Sequence, residues 1–300
     1  MKQHTLKKAY YFEGKGLHTG TYSHICIKPA PAGTGIKFIR TDVGRSIPAL
    51  AEYVSNTARC TLISDGRASV STIEHIMSAF AGMGVDNAIV EIDNQEIPIL
   101  DGSARFYVEA FAADGLLEQD ANRRYYEIKE SLELRHEATG SWIKIEPDDH
   151  FSVDVTVDFG SKVLGVQKAH WDETVDYASE IAVCRTFVFF HEVQYLASMG
   201  LVKGGDVDNA IVVVERPVPE EVVDEMAEKI GHPGIKVLPS GYLSNITLNF
   251  PDECGRHKLL DLLGDIRLCG GYLRAHVTAF KPGHTINTDI AKAAQKILSL

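Results

Sequence analysis

In the run HKLLDLLGD, His257, Asp261 and Asp265 recur every four residues, so on a helix an imidazole and two carboxylates share one face. Such a face can hold a divalent ion or move protons, and it can equally be a solvated face with a His–Asp ion pair. Two features favour chemistry. The acid lies C-terminal to the base, the less favourable order against the helix dipole, and Asp is a mediocre helix former used twice. Gly264 costs the helix roughly 1 kcal/mol more, which makes sense if another backbone or a ligand must come close there.

Glu74-His75 is the second signal, near the start of an expected helix over Ser71–Met83 whose apolar residues Ile73, Ile76, Met77 and Phe80 fall on one side. Ser71 and Glu74 also satisfy the spacing of a capping box, but that leaves His75 unexplained. If His75 met His257 and Asp261, two imidazoles and a carboxylate would leave a fourth position open, the pattern of a catalytic zinc, with Glu74 placed as a base for its water. The third signal is His284 in the expected loop Lys281-Pro-Gly-His284. It is either merely exposed or returned to Asp265, which would raise its pKa and keep it protonated. Thr186-Phe187 in CRTFVFF offers a hydroxyl before an aromatic run, or is an ordinary strand entering a core. Among the 12 histidines, His18 in GLHTG is the other one to watch, because flanking glycines let a ligand approach. His4, His24, His136, His150, His170, His191, His232 and His276 read as surface or satisfied core. Cys254 could suggest a thiolate ligand three residues before His257, but that would leave His75 idle.

The elements that must position these groups follow from the pattern. Three hundred residues, 45% hydrophobic and 24% charged, suffice for two domains with their own cores. A net charge of −11 without a long basic run argues against a nucleic-acid partner. No apolar run approaches a membrane span, the charged start lacks a signal-peptide core, and five scattered cysteines read as reduced thiols, so a soluble cytoplasmic protein is expected. A strand pair is expected within 21–38, a strand over 87–93 and a helix over 104–113, then a polar linker over 118–124. The plan then repeats, with strands over 125–134, 142–146 and 151–159 and later helices from Phe190 to Met199, Pro219 to Ile230, His257 to Cys269 and Asp289 to Ser299. Strands over 210–215 and 272–280 complete the reading. ICIKP in the first half is echoed by IKIEP in the second, so the fold expected is α+β: two related sheet-and-helix sandwich domains, 1–121 and 125–300.

GLHTG (16–20), KPAPAGTG (28–35), STIEHIMSA (71–79), EIPILDGSA (96–104), RTF (185–187), Gly204-Gly205, HKLLDLLGD (257–265) and Gly283-His284 together resemble the zinc-dependent UDP-3-O-acyl-N-acetylglucosamine deacetylases of lipid A biosynthesis in Gram-negative bacteria. The likeness spans nearly the whole chain. It implies two α+β domains, each with a small insert, and an active site between them. One Zn2+, or Fe2+ in its place, would be held by His75, His257 and Asp261. Glu74 would activate water, His284 would be the second catalytic group oriented by Asp265, and Thr186 would bind the tetrahedral oxygen. Phe187 and Lys258 would contact the sugar and phosphate, Cys60 lies in a segment walling the site, and an insert over about 188–212 would form the acyl passage. Val188 stands where enterobacterial relatives carry Gly and Phe190 replaces a methionine; both narrow the space towards Val212. Some lineages fuse this family to a 3-hydroxyacyl-carrier-protein dehydratase, so such a domain beyond residue 300 is expected as one alternative. The substrate expected is a UDP-acyl-sugar. The competing readings are another zinc amidohydrolase or esterase, and a non-catalytic lipid- or nucleotide-binding protein whose metal pins the domains.

Overall fold

The computed structural model describes residues 1–198, 203–229 and 231–297. The first half runs β1 (Lys2–Leu6), β2 (Tyr10–Lys15), β3 (Tyr22–Pro29), β4 (Ile36–Arg40), β5 (Arg45–Pro48), β6 (Val54–Asn56), β7 (Leu62–Ser64), β8 (Ser69–Val70), α1 (Glu74–Met83), β9 (Ala88–Ile92), α2 (Arg105–Asp114) and β10 (Leu116–Asn122). Alternation builds the sheet: Ser23, Ile25 and Ile27 of β3 and Ala88, Val90 and Ile92 of β9 turn to the core. The strand order is β2-β3-β9-β4-β5, with β9 inserted between two hairpins, antiparallel to β3 and parallel to β4. A parallel neighbour demands a crossover, and the chain makes it through β6–β8 and α1.

The second half runs β11 (Tyr125–Glu127), β12 (Leu132–His136), β13 (Ser141–Pro147), β14 (Phe151–Asp158), β15 (Val166–Asp172), α3 (Tyr177–Glu180), β16 (Phe187–Phe189), α4 (Phe190–Ser198), β17 (Ile211–Val213), α5 (Glu220–Lys229), α6 (Glu253–Ile266), β18 (Tyr272–Phe280) and α7 (His284–Ile297). Its main sheet has the order β12-β13-β18-β14-β15, again with the last strand between two hairpins, antiparallel to β13 and parallel to β14. The fold is thus α+β with one plan used twice. The ICIKP echo falls on topologically equivalent strands: Pro29 of β3 pairs with Ala88 and Pro147 of β13 with Ala275. In the insert, β16 and β17 pair in parallel across α4. Its apolar cluster holds Phe190, Val212, Val214, Ala227 and Leu243, so the packed unit runs past residue 212, closed by Val222 and Met226 of α5.

Helices α1 and α6, each preceding the inserted strand of its half, pack against one another. Gly264 explains how: a Cβ there would sit 2.1 Å from the Glu74 carbonyl oxygen and 3.0 Å from the Ser78 nitrogen. The glycine therefore admits a second backbone, one of the two reasons expected for it. Gly264→Ala is expected to lower stability in urea titration by about 1–3 kcal/mol despite alanine's better helix propensity, because the helices must part.

Several expectations are corrected. The stretch 118–124 is no linker: through Asn122 it belongs to β10, antiparallel to β1, with alternate residues left to solvent, hence its polarity. The Ser71 helix begins at Glu74, and the capping box is absent, because Ser71 Oγ bonds the Gln95 carbonyl while Glu74 accepts from the Thr61 N–H. His284 opens α7 instead of lying in a loop ahead of it, the helix starting five residues before the expected Asp289. Helix α6 starts at Glu253, four residues early, and its end over Arg267–Cys269 is a 3-10 turn. The expected helix ends at Met199, Ile230 and Ser299 lie outside the described residues. No helix among the described residues is long and apolar enough to cross a membrane.

Candidate active site

His75, in the first turn of α1, meets the face of α6 that carries His257 and Asp261. The two imidazole rings lie edge to face, 5.0 Å between centroids. His257 Nε2 is 3.3 Å and His75 Nε2 3.6 Å from the same oxygen, Asp261 Oδ1. All three residues are buried, and one donor atom from each lies within 4.8 Å of the others. The second ring nitrogen of His257, Nδ1, is 3.0 Å from the Cys184 carbonyl, which can only accept, so Nδ1 carries the proton and the Nε2 lone pair faces the centre. Burial pushes His257 down to about 3, so the ring is neutral at physiological pH. Burial opposes ionisation of Asp261, but His257 and the Lys258 ammonium hold it well below the usual carboxylate range. Lys258 Nζ satisfies Oδ2 at 2.9 Å, whereas Oδ1 is buried with no hydrogen-bond partner among the described residues. An orphaned carboxylate oxygen facing two imidazole nitrogens is a costly arrangement for a bare protein and a suitable one for a divalent ion. The donor set N, N, O fits Zn2+ or Fe2+.

Beside this trio stands a second, proton-handling group. Asp265, fully buried one turn beyond Asp261, accepts from Thr61 Oγ1 on Oδ1 and from His284 Nδ1 and Asn287 Nδ2, at 3.0 and 2.9 Å, on Oδ2. His284 Nε2 in turn lies 3.9 Å from Glu74 Oε1. Burial by itself would lower His284, but Asp265 and Glu74 outweigh it and raise the imidazole to about 9. Glu74 is also buried, which pushes its carboxyl up against the opposing pull of His284 and His75. Strain flanks both groups: Thr72, two residues before Glu74, has φ 59° and Lys281, three before His284, φ 51°, left-handed values that a β-branched threonine seldom adopts.

The remaining expected residues lie around this centre in different ways. Thr186, just before β16, and Phe187, its first residue, line a mostly apolar cavity of about 220 Å³ together with Val188, Val212, Leu196 and Met226. Lys258 Nζ sits 5.5 Å over the Phe187 ring. Phe190 faces the other way, 3% exposed within the insert core. Cys60 is buried beside Thr72 and Glu74, its thiol pushed up to about 12 by desolvation and then by Glu74, which makes it an inert wall. Cys254 packs with Leu164, Phe189 and Ile211 and takes no part in the trio. His18 lines the cavity, its Nε2 buried without a partner among the described residues, on a loop that Glu96 clamps through the N–H groups of His18 and Thr19. Most of the other histidines find surface acids: His24 with Asp93, His170 with Asp154 and Asp172, His136 with Asp289, His232 with Asp206.

Four contributors escaped sequence reading. Thr61 bonds both Glu74, through its N–H, and Asp265, through its hydroxyl. Cys184 acts through its backbone carbonyl, which no side-chain pattern reveals. Glu253, fully buried, bonds the Arg185 N–H and guanidinium, tying the start of α6 to the segment before Thr186. Only Asn287, three residues after His284 on one helix face, left a readable signal.

The family model described as UDP-3-O-acyl N-acetylglycosamine deacetylase matches residues 3–233 and 234–296. A "Bifunctional enzyme LpxC/FabZ" of Bacteroides thetaiotaomicron is 41% identical over the whole of this chain, which covers 66% of that relative. One of the same name from Porphyromonas gingivalis is 44% identical over 98% of this chain and 64% of its own length. A "UDP-3-O-acyl-N-acetylglucosamine deacetylase" of Trichormus variabilis is 37% identical, and the alignment covers 100% of this chain and 99% of that one. The chain thus spans just under two thirds of the bifunctional relatives and nearly all of the last.

Proposed function

Because the chain belongs to the family of UDP-3-O-acyl N-acetylglycosamine deacetylases, we propose that it hydrolyses the N-acetyl group of a UDP-3-O-acyl-N-acetylglucosamine, releasing acetate and the free amine in the formation of lipid A. The observation that carries this reading is the convergence of His75, His257 and Asp261 on the unpartnered Oδ1, with Glu74 and His284 beside it. The active site falls between the two halves, read as domains 1–121 and 125–300.

His75, His257 and Asp261 would hold one divalent ion, Zn2+ or Fe2+. When bound, that ion lowers the pKa of water towards neutrality and withdraws electrons from the acetyl carbonyl. Glu74, whose Oε2 is fixed by the Thr61 N–H, takes the water proton on Oε1, the oxygen that faces His284. The Thr186 hydroxyl and the His284 imidazolium donate to the tetrahedral oxygen. His284 Nε2 then delivers the proton that the sugar nitrogen needs to leave, while Asp265 holds Nδ1 and thereby sets which nitrogen faces the substrate. Lys258 and Phe187 contact the sugar and phosphate, Cys60 walls the site, and Val188 and Val212, with Phe190 packed behind them, shape the acyl passage. We place the protein in the cytoplasm; two relatives are named as bifunctional enzymes and a third is matched over nearly its whole length, so a fusion to a 3-hydroxyacyl-carrier-protein dehydratase is one of two alternatives, which intact mass measurement of the native gene product decides.

UDP-N-acetylglucosamine with and without the 3-O-acyl chain tests the assignment: the acylated sugar should be turned over at least about 10²-fold better in kcat/KM, given several buried methylenes at ~0.8 kcal/mol each. Equal turnover would remove the acyl-sugar assignment. The pH profile carries a separate expectation. Protonated His284 is the required form, so activity should hold through neutral pH and fall as pH rises through about 9. Asp265→Asn removes the neighbouring negative charge and should bring that alkaline limb down by about 1–2 pH units; an unmoved limb would mean that another group donates the proton.

A further inference from the structure

A second, larger cavity lies away from the site just described. At about 780 Å³ it opens between the two halves, at the C-terminal ends of α1 and α6. On its wall are two guanidiniums that share one aromatic ring: Arg123 at 4.2 Å and Arg267 at 4.6 Å from the Tyr272 ring centroid. Arg123 is neutralised by Asp86, which its Nε and Nη2 bond at 3.0 and 2.9 Å. Arg267 has no such partner. It is 6% exposed, its hydrogen bonds to the Gly271 and Val85 carbonyls are long, at 3.4 and 3.5 Å, the Tyr272 phenol is its other polar neighbour, its Nε is unbonded, and no carboxylate of the described residues pairs with it. Trp171 Nε1, which also lines the cavity, is a second buried donor without an acceptor among the described residues.

Two guanidiniums packed on one ring beside a cavity, with a single carboxylate paired to one of them, is an arrangement that folding alone disfavours. An anion in the cavity would complete it. The other walls fix the rest of the ligand. Leu263, Ile266, Leu273 and Phe151 offer apolar surface, while the exposed Glu173 and Asp176 at the rim repel multiply charged phosphates. We infer that this cavity binds a monoanionic carboxylate with an apolar tail, its carboxylate on Arg267 and its tail among Leu263, Ile266 and Leu273. The inference is independent of the deacetylase reading, since none of these residues belongs to that site.

Sodium decanoate is the probe, and Trp171 the local reporter, read by fluorescence in the Trp142→Phe chain so that Trp171 is the remaining indole. Saturable change at Trp171 is expected, with decanoate at least tenfold tighter than decanol and with neither decylamine nor inorganic phosphate competing. Arg267→Met should weaken decanoate at least tenfold, leave deacetylation within about twofold and fold at least as well, since it removes an unpaired buried charge. Equal binding of decanol and decanoate by the Arg267 protein would overturn the inference without recourse to any variant, as would unchanged decanoate affinity in Arg267→Met or a Trp171 signal that does not saturate.

Discussion

Glu74→Gln should keep the bound metal and the fold while lowering kcat by about 10²–10⁴-fold, the range of a lost general base. The substitution is nearly isosteric, and the Gln carbonyl can still accept from the Thr61 N–H that Glu74 Oε2 now accepts from. What disappears is the carboxylate on Oε1, the oxygen nearest His284. Stability should not suffer, because the variant removes a buried acid that is costly to ionise. Steady-state kinetics beside metal analysis separate this from a structural role: a pinning metal in a non-catalytic protein would leave every property unmoved, and a kcat within tenfold of the parent would place the base elsewhere. His284 should also feel the change, since Glu74 helps hold it protonated, so the alkaline limb should shift to lower pH in whatever activity remains.

Much of this was legible in the chain, and the reason is periodic. An interval of four on α6 places His257, Asp261 and Asp265 on one face in any helix, and the alternation of β3 and β13 marks equivalent strands in both halves. The meeting of His75 with that face depended instead on Gly264, where the sequence shows that something comes close without showing what. The backbone contributions were hidden in principle: Cys184 orients His257 by its carbonyl and Thr61 holds Glu74 by its N–H, roles that any residue type could fill. The misread segment at 118–124 shows the same limit from the other side, since a strand at the edge facing water has the composition of a linker until its partner, β1, is known. Resemblance supplied the role of Thr186 and the acyl passage, for which the residues alone offered an ordinary strand.

His257→Ala should abolish both metal and activity. Of the three proposed ligands it is the most constrained, 1% exposed and held by the Cys184 carbonyl, and its loss leaves only His75 and a carboxylate that Lys258 already bonds. Loss of an outer-shell partner already costs about 10–100-fold in metal affinity, so removal of a ligand should cost more than about 10²-fold. His75→Ala should behave alike, although it lies on the other half of the molecule, and the agreement of the two would locate the ion between α1 and α6. In the parent protein a chelator should remove activity and Zn2+ restore it; in either variant Zn2+ at the same concentration should restore none. Retention of one ion per chain in His257→Ala would break the assignment, because the unpartnered Asp261 Oδ1 would then need another explanation. The contrast between Glu74→Gln and His75→Ala gives the test its force: these are neighbouring residues on one turn of α1, of which the first is expected to lose the reaction and keep the metal, and the second to lose both.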